Sequence, residues 1–123
     1  MTDIIDLVLK VRVGGYSFEA SNVRHEHEWR TWASAAIPEN RVLLPGVVSH
    51  ATNLVEHPEL VAERLLRFAG IVGRNRVIAS TDCGFAQGAL YSRNHPSIVW
   101  AKLASLVEGA RLATRTLWGR GAG

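Results

Sequence analysis

Residues 41–50 read RVLLPGVVSH and residues 76–83 read RVIASTDC; these two apolar runs, each leading into polar residues that carry chemistry, decide the fold. The first is a buried strand from Arg41 to Val48, interrupted by Pro45 and Gly46. A proline lacks the donor a ladder needs, so the interruption suits a strand end or a bulge more than a central ladder position. The second run gives a strand over Arg76 to Ser80, followed by the loop TDCGFAQG. Between them, after Ser49 to His57, comes a helix with Pro58 in its first turn. Its apolar positions Leu60, Val61, Leu65, Leu66 and Phe68 extend to Gly70 or Gly73. A strand, a helix and a strand in that order imply parallel strands joined by a crossover helix.

The same alternation continues on both sides. Upstream, Thr2 is placed to cap a helix over Asp3 to Val11, with Ile4, Ile5, Val8 and Val11 at helical spacing and Gly14 and Gly15 to stop it. A short strand follows, Tyr16 to Ala20, then a polar helical stretch from His25 to Ala36 and a turn at Pro38, Glu39 and Asn40. Downstream, a helix over Ser97 to Leu117 sets Ile98, Ala101, Leu103, Leu106, Val107, Ala110 and Leu112 near one face. The closing GRGAG reads as a frayed tail. The order α, β, α, β, α, β, α predicts an α/β fold with about three parallel strands and four helices, one unit over residues 1–123. A complete (β/α)8 barrel takes about 250 residues, so the pattern is that of a partial TIM barrel.

Composition narrows the function. Of the 123 residues 47% are hydrophobic, enough for a core without disulfides, and the one cysteine excludes an internal disulfide framework. A lone thiol fits a reducing compartment. The first residues carry aspartates where a secretory leader wants basic residues, and no apolar run approaches the ~20 residues that span a bilayer. The expectation is a cytoplasmic protein with no membrane partner. The net charge of +3 is modest and the arginines are scattered, which argues against a nucleic-acid partner.

In parallel α/β folds ligands collect at the C-terminal ends of the strands. Here those ends carry Glu19, then Ser49 and His50, then Asp82 and Cys83. A carboxylate, an imidazole and a thiol are the O, N and S donors that zinc takes. Each also has a plainer reading. Cys83 is a buried small hydrophobe, Glu19 pairs with Arg24, and His50 caps the following loop or bonds a backbone carbonyl. His25, Glu26, His27 and Glu28 alternate like a metal cluster, yet read as a solvated helix face. The four tryptophans are too dispersed for a stacking platform and read as core or interface residues. His95-Pro96 starts the last helix.

Three motifs add a resemblance. The runs GYSFEASN and VLLPGVVSHATNLVEHPELVAERLLRFAGIVGRNRVIASTDCGFAQG contain S-F-E-A-S, P-G-V-x-S-H and D-C-G, in that order. They resemble the C-terminal portion of the cobalamin-independent methionine synthase family, and the likeness covers nearly the whole chain. The first helix and RHEHEW look closest to a short bacterial branch. The resemblance implies that Cys83 is a zinc-binding cysteine and that Glu19 ligates the zinc when the substrate thiol is absent. It implies that His50 is the proton donor in methyl transfer from a methyltetrahydrofolate-type donor to homocysteine. Zinc would hold the homocysteine sulfur as a thiolate. The family's other two zinc ligands, a His-x-Cys pair on an earlier strand, are absent from this sequence. The chain is therefore expected to be inactive alone and to associate, with itself or with a complementing N-terminal polypeptide. A non-catalytic truncated remnant forming an oligomer is the alternative. A related zinc-dependent transferase alkylating a thiol, of the epoxide–coenzyme M type, is a further one.

Overall fold

β2, Val42–Val48, is the centre of the sheet, and Leu43, Val47 and Val48 in it are fully buried. In the computed structural model, which describes residues 1–86 and 88–119, it lies between β1, Gly15–Glu19, and β3, Ser80–Thr81. Both pairings are parallel: Gly15 stands opposite Val42 and Glu19 opposite Gly46, and Gly46 stands opposite Ser80. Four helices complete the α/β fold: α1, Ile5–Lys10, α2, Trp29–Ser34, α3, Pro58–Val72, and α4, Pro96–Trp118. Three parallel strands with four helices match the expected partial barrel. The tail beyond Gly119, expected to fray, and Gln87 of the cysteine loop lie outside the described residues.

Pro45 does occupy the central strand, and its placement explains the shape of β3. Leu43 exchanges hydrogen bonds with the third strand: its N–H donates to the Arg76 carbonyl at 2.8 Å, and its carbonyl accepts from Ile78 at 2.9 Å. By the alternation of a parallel ladder, residue 45 faces the same way. The donor that proline lacks is thus missing on the β3 side. There the strand expected over Arg76 to Ser80 breaks into a bridge, Leu43 with Val77, and a two-residue strand with a register shift between Gly46 and Val48. Pairing resumes when the Asp82 N–H donates to the Val48 carbonyl at 2.9 Å.

The core has two parts. Trp32, Phe68, Leu43, Tyr16, Val72 and Ile5 fill one side, with Phe18 stacked on Trp32 at 4.1 Å between ring centres. Val47, Val48, Val61, Leu65 and Ala113 fill the other, under α3 and α4. α1 departs from expectation. It is six residues long without a side-chain cap, Thr2 shares a hydroxyl hydrogen bond with Thr31 instead, and Ile4 and Val11 stay exposed. The backbone turns extended at Val11, ahead of the glycines, and Gly15 already belongs to β1. The stretch from His25 becomes a 3-10 turn, Glu26–Glu28, leading into α2.

α4 packs Leu106, Ala110 and Leu112 of the expected face against the core, but the residues it buries most fully are small or charged. Lys102, Ser105, Gly109 and Ala113 point inward, while Ala101 and Val107 are exposed. Small residues there let α3 come close: a side chain on Gly109 would lie 2.5 Å from Val61 Cβ and 2.9 Å from the Pro58 carbonyl oxygen. Both long helices start on a His-Pro pair. His57 Nδ1 accepts from the Glu59 N–H and His95 Nδ1 from the Ser97 N–H, each at 3.2 Å, which satisfies one otherwise unbonded first-turn amide. The tryptophans divide: Trp32 is core, Trp29 lies under the guanidinium groups of Arg30 and Arg67, and Trp100 is exposed. Among the described residues no helix is long and apolar enough to cross a membrane.

Candidate metal centre

Because the three strands run parallel, their C-terminal ends meet on one edge of the sheet. Glu19 closes β1, His50 follows β2 by two residues, and Cys83 follows β3 by two. Their donor atoms all lie within 4.8 Å of one another, so the residues nominated from the sequence are brought together. Cys83 is exposed rather than a buried core residue. Its thiol donates to Glu19 Oε1 at 2.6 Å.

Asn22, which sequence reading passed over, and Asp82, which it placed only at a strand end, hold this edge in position. Asn22 donates from Nδ2 to Glu19 Oε2 and to Asp82 Oδ2, both at 2.9 Å, and its Oδ1 accepts from the backbone N–H groups of Arg24 and His25. The buried Asp82 accepts from the N–H groups of Ala20 at 2.9 Å and Ser21 at 3.0 Å. Its carboxylate therefore ties the turn after β1 to the turn after β3, and does not join the donor cluster. Gly46 makes room for it, because a Cβ there would stand 2.6 Å from Asp82 Cα and 2.7 Å from its nitrogen. The signals were present: an asparagine three residues after the strand-end glutamate is a turn former, and an aspartate adjoins the cysteine.

Glu19 does not pair with Arg24. It faces His25 Nε2 at 3.4 Å, and His25 Nδ1 reaches Glu28 at 3.0 Å. Glu26 pairs with the buried Arg64 at 3.0 Å. The His-Glu-His-Glu run is accordingly neither a metal cluster nor a wholly solvated face; one side of it is ion-paired to the body of the fold. His50 does not bond a carbonyl through its ring: Nδ1 is buried without a hydrogen-bond partner, while its backbone carbonyl accepts from Asn94 Nδ2 at 3.0 Å. The loop carrying it is fastened to α4. Glu56 accepts from the Ser49 N–H at 2.5 Å and from Lys102 Nζ at 2.7 Å, and Lys102 is 0% exposed.

The electrostatics favour a protonated thiol beside an ionised carboxylate. Glu19 is held below the usual carboxylate value, first by the Cys83 hydrogen bond and then by Asn22 and the nearby imidazoles, against the opposing effect of burial. The Cys83 thiol is pushed up to about 11, first by its bond to Glu19, then by burial and the charges of Glu19 and Asp82. As a donor set for a metal the cluster fits in kind: one sulfur, one carboxylate oxygen and one imidazole with an unpartnered ring nitrogen. The 2.6 Å contact is a hydrogen-bond length. Two donors around a tetrahedral ion stand about 3.6 Å apart at ordinary zinc–ligand lengths, so a metal would replace the thiol proton rather than sit beside it.

A solved structure shares this fold. The B12-independent methionine synthase from Shewanella sp. W3-18-1, in complex with selenomethionine, superposes with a TM-score of 0.71 over 90% of this chain at 20% identity. The chain spans 29% of that protein's length. At this identity the likeness is one of fold. No family model and no curated protein sequence matches the chain.

Proposed function

We propose that the strand-end cluster is a zinc site of the methionine synthase kind, serving methyl transfer from a folate to the homocysteine thiol. The observation that carries this reading is the convergence of Glu19, His50 and Cys83 donor atoms within 4.8 Å at the C-terminal edge of a parallel sheet. The fold shared with a B12-independent methionine synthase supports it. Glu19 and Cys83 supply the carboxylate and thiolate donors. Further donors come from polypeptide outside these 123 residues, for which the His-x-Cys pair of the resembled family is the natural complement.

Bound zinc would lower the pKa of a substrate thiol so that it is held as a thiolate near neutral pH. The chain's own residues do the rest. Cys83 would hold the ion as a thiolate, its proton released to solvent. Glu19, hydrogen-bonded by Asn22 and held ionised, would be an exchangeable carboxylate donor to the ion. His50 delivers the proton that the folate nitrogen needs as its methyl group passes to sulfur. An epoxide electrophile would ask the same of His50 at oxygen, so these residues serve either alkyl donor.

A second reading, a non-catalytic remnant, is favoured by the Cys83–Glu19 bond, which satisfies both groups without a metal. Zinc per chain in purified protein separates the two, with Cys83→Ala as control. The expected result is close to one zinc per chain once a second copy or an added polypeptide completes the donor set, lost in the variant. A folded sample with no zinc at any supplied concentration sinks the metal reading for this chain.

A further inference from the structure

A polar cleft of about 440 Å³ opens beside the cluster, lined by Glu19, His25, His50, Arg24 and Arg93. That volume is in the range of small-molecule sites. Its two arginines come from distant parts of the chain, both are exposed, and the backbone of each is tied in at or beside an asparagine. The Arg24 N–H donates to Asn22 Oδ1 at 3.1 Å, on the same side chain that holds Glu19. Arg93 precedes Asn94, which is 2% exposed and bonded to the His50 carbonyl. Neither guanidinium has a hydrogen-bond or ion-pair partner among the described residues. The lining carboxylate, Glu19, is already taken up by Asn22, His25 and Cys83. The cleft therefore holds two uncompensated positive forks, whereas other arginines, such as Arg64 and Arg76, are spent on backbone carbonyls.

We infer that Arg24 and Arg93 form a carboxylate-binding subsite, which orients an anionic small-molecule substrate with its reacting end towards Glu19, His50 and Cys83. The inference deepens the proposed function and takes its choice of cleft from that reading. A guanidinium presents parallel N–H groups that match the two oxygens of a carboxylate, which favours this anion over a tetrahedral one.

The test uses metal-free protein, so it does not depend on zinc loading. The side-chain Nε–H resonances of ¹⁵N-labelled protein are followed during titration with glutarate, with its neutral analogue glutaramide, and with inorganic phosphate. Glutarate is expected to shift the Arg24 and Arg93 signals saturably and glutaramide is not. Arg24→Ala or Arg93→Ala should each weaken glutarate about threefold, and the double variant about tenfold. Arg24→Lys keeps the charge without the fork and should fall between. Arg115→Ala, an exposed arginine outside the cleft, should change nothing. Equal shifts with glutaramide, tighter binding of phosphate, or glutarate binding that survives the double variant would each overturn the subsite. Glutarate binding in a protein that takes up no zinc would leave the subsite standing and remove the metal reading.

Discussion

Cys83 and Glu19 control each other's protonation, and the effect has a definite sign at each end of the pH scale. The thiol's folded value of about 11 lies above its ordinary 9.0, so the stability it lends is complete below pH 9.0 and lost as pH rises through about 11. The carboxylate is shifted the other way. Its contribution is present above 4.5 and lost as pH falls through its lowered folded value. Glu19→Gln removes the charge that raises the thiol. The pH at which Cys83 becomes reactive to iodoacetamide should move from about 11 back towards 9.0, and an unmoved profile would show that something else holds the proton. Asp82→Ala should cost about 3 kcal/mol in urea unfolding, because it orphans two buried backbone N–H groups that now bond a charged acceptor. The donors themselves were legible in the sequence, since thiol, imidazole and carboxylate follow three strands in turn. The roles of the residues that hold them were not. Asn22 and Asp82 act by hydrogen bonds across some sixty positions of chain, which no local spacing records.

At the scale of elements, β2 and the turn after β3 meet backbone to backbone at Gly46. Gly46→Ala would drive its methyl group into Asp82 main-chain atoms that cannot rotate away. The expected loss is about 3 kcal/mol of stability, read by denaturant melts, together with weaker protection of the Ala20 and Ser21 amides against hydrogen exchange. Full retention of both would mean that the strands separate at little cost. Alternation of apolar runs was enough to read the parallel sheet, the crossover α3 and the length of α4. It placed Leu106, Ala110 and Leu112 on the core side of α4 but missed Lys102, Ser105 and Gly109 there, which are buried by close approach to α3 and by the reach of Lys102 to Glu56 rather than by hydrophobicity. It also extended β3 through Arg76 to Ser80, where the donor missing at Pro45 breaks the ladder.

For the molecule as a whole, the sheet order β1-β2-β3 leaves the outer edges of β1 and β3 without a described strand beside them. Val23, Leu54 and Leu90 stand out from the turns at or near the same end, each at least 74% exposed. Unpaired edges and apolar loops together are the usual marks of a surface made to be covered. Sedimentation across a concentration series should give a weight-average mass above the 13.5 kDa of one chain, falling on dilution. A constant 13.5 kDa would mean that these edges are tolerated bare. The stacking of Trp32 on Phe18 also supplies an optical probe. Trp32 is 1% exposed and its ring partner immediately precedes Glu19, whereas Trp100 stands 72% exposed on α4. Iodide will quench the exposed indoles of Trp100 and Trp118 most and Trp32 least. The emission that survives the quencher then reports, without a label, any displacement of the end of β1 when an ion or an anion arrives.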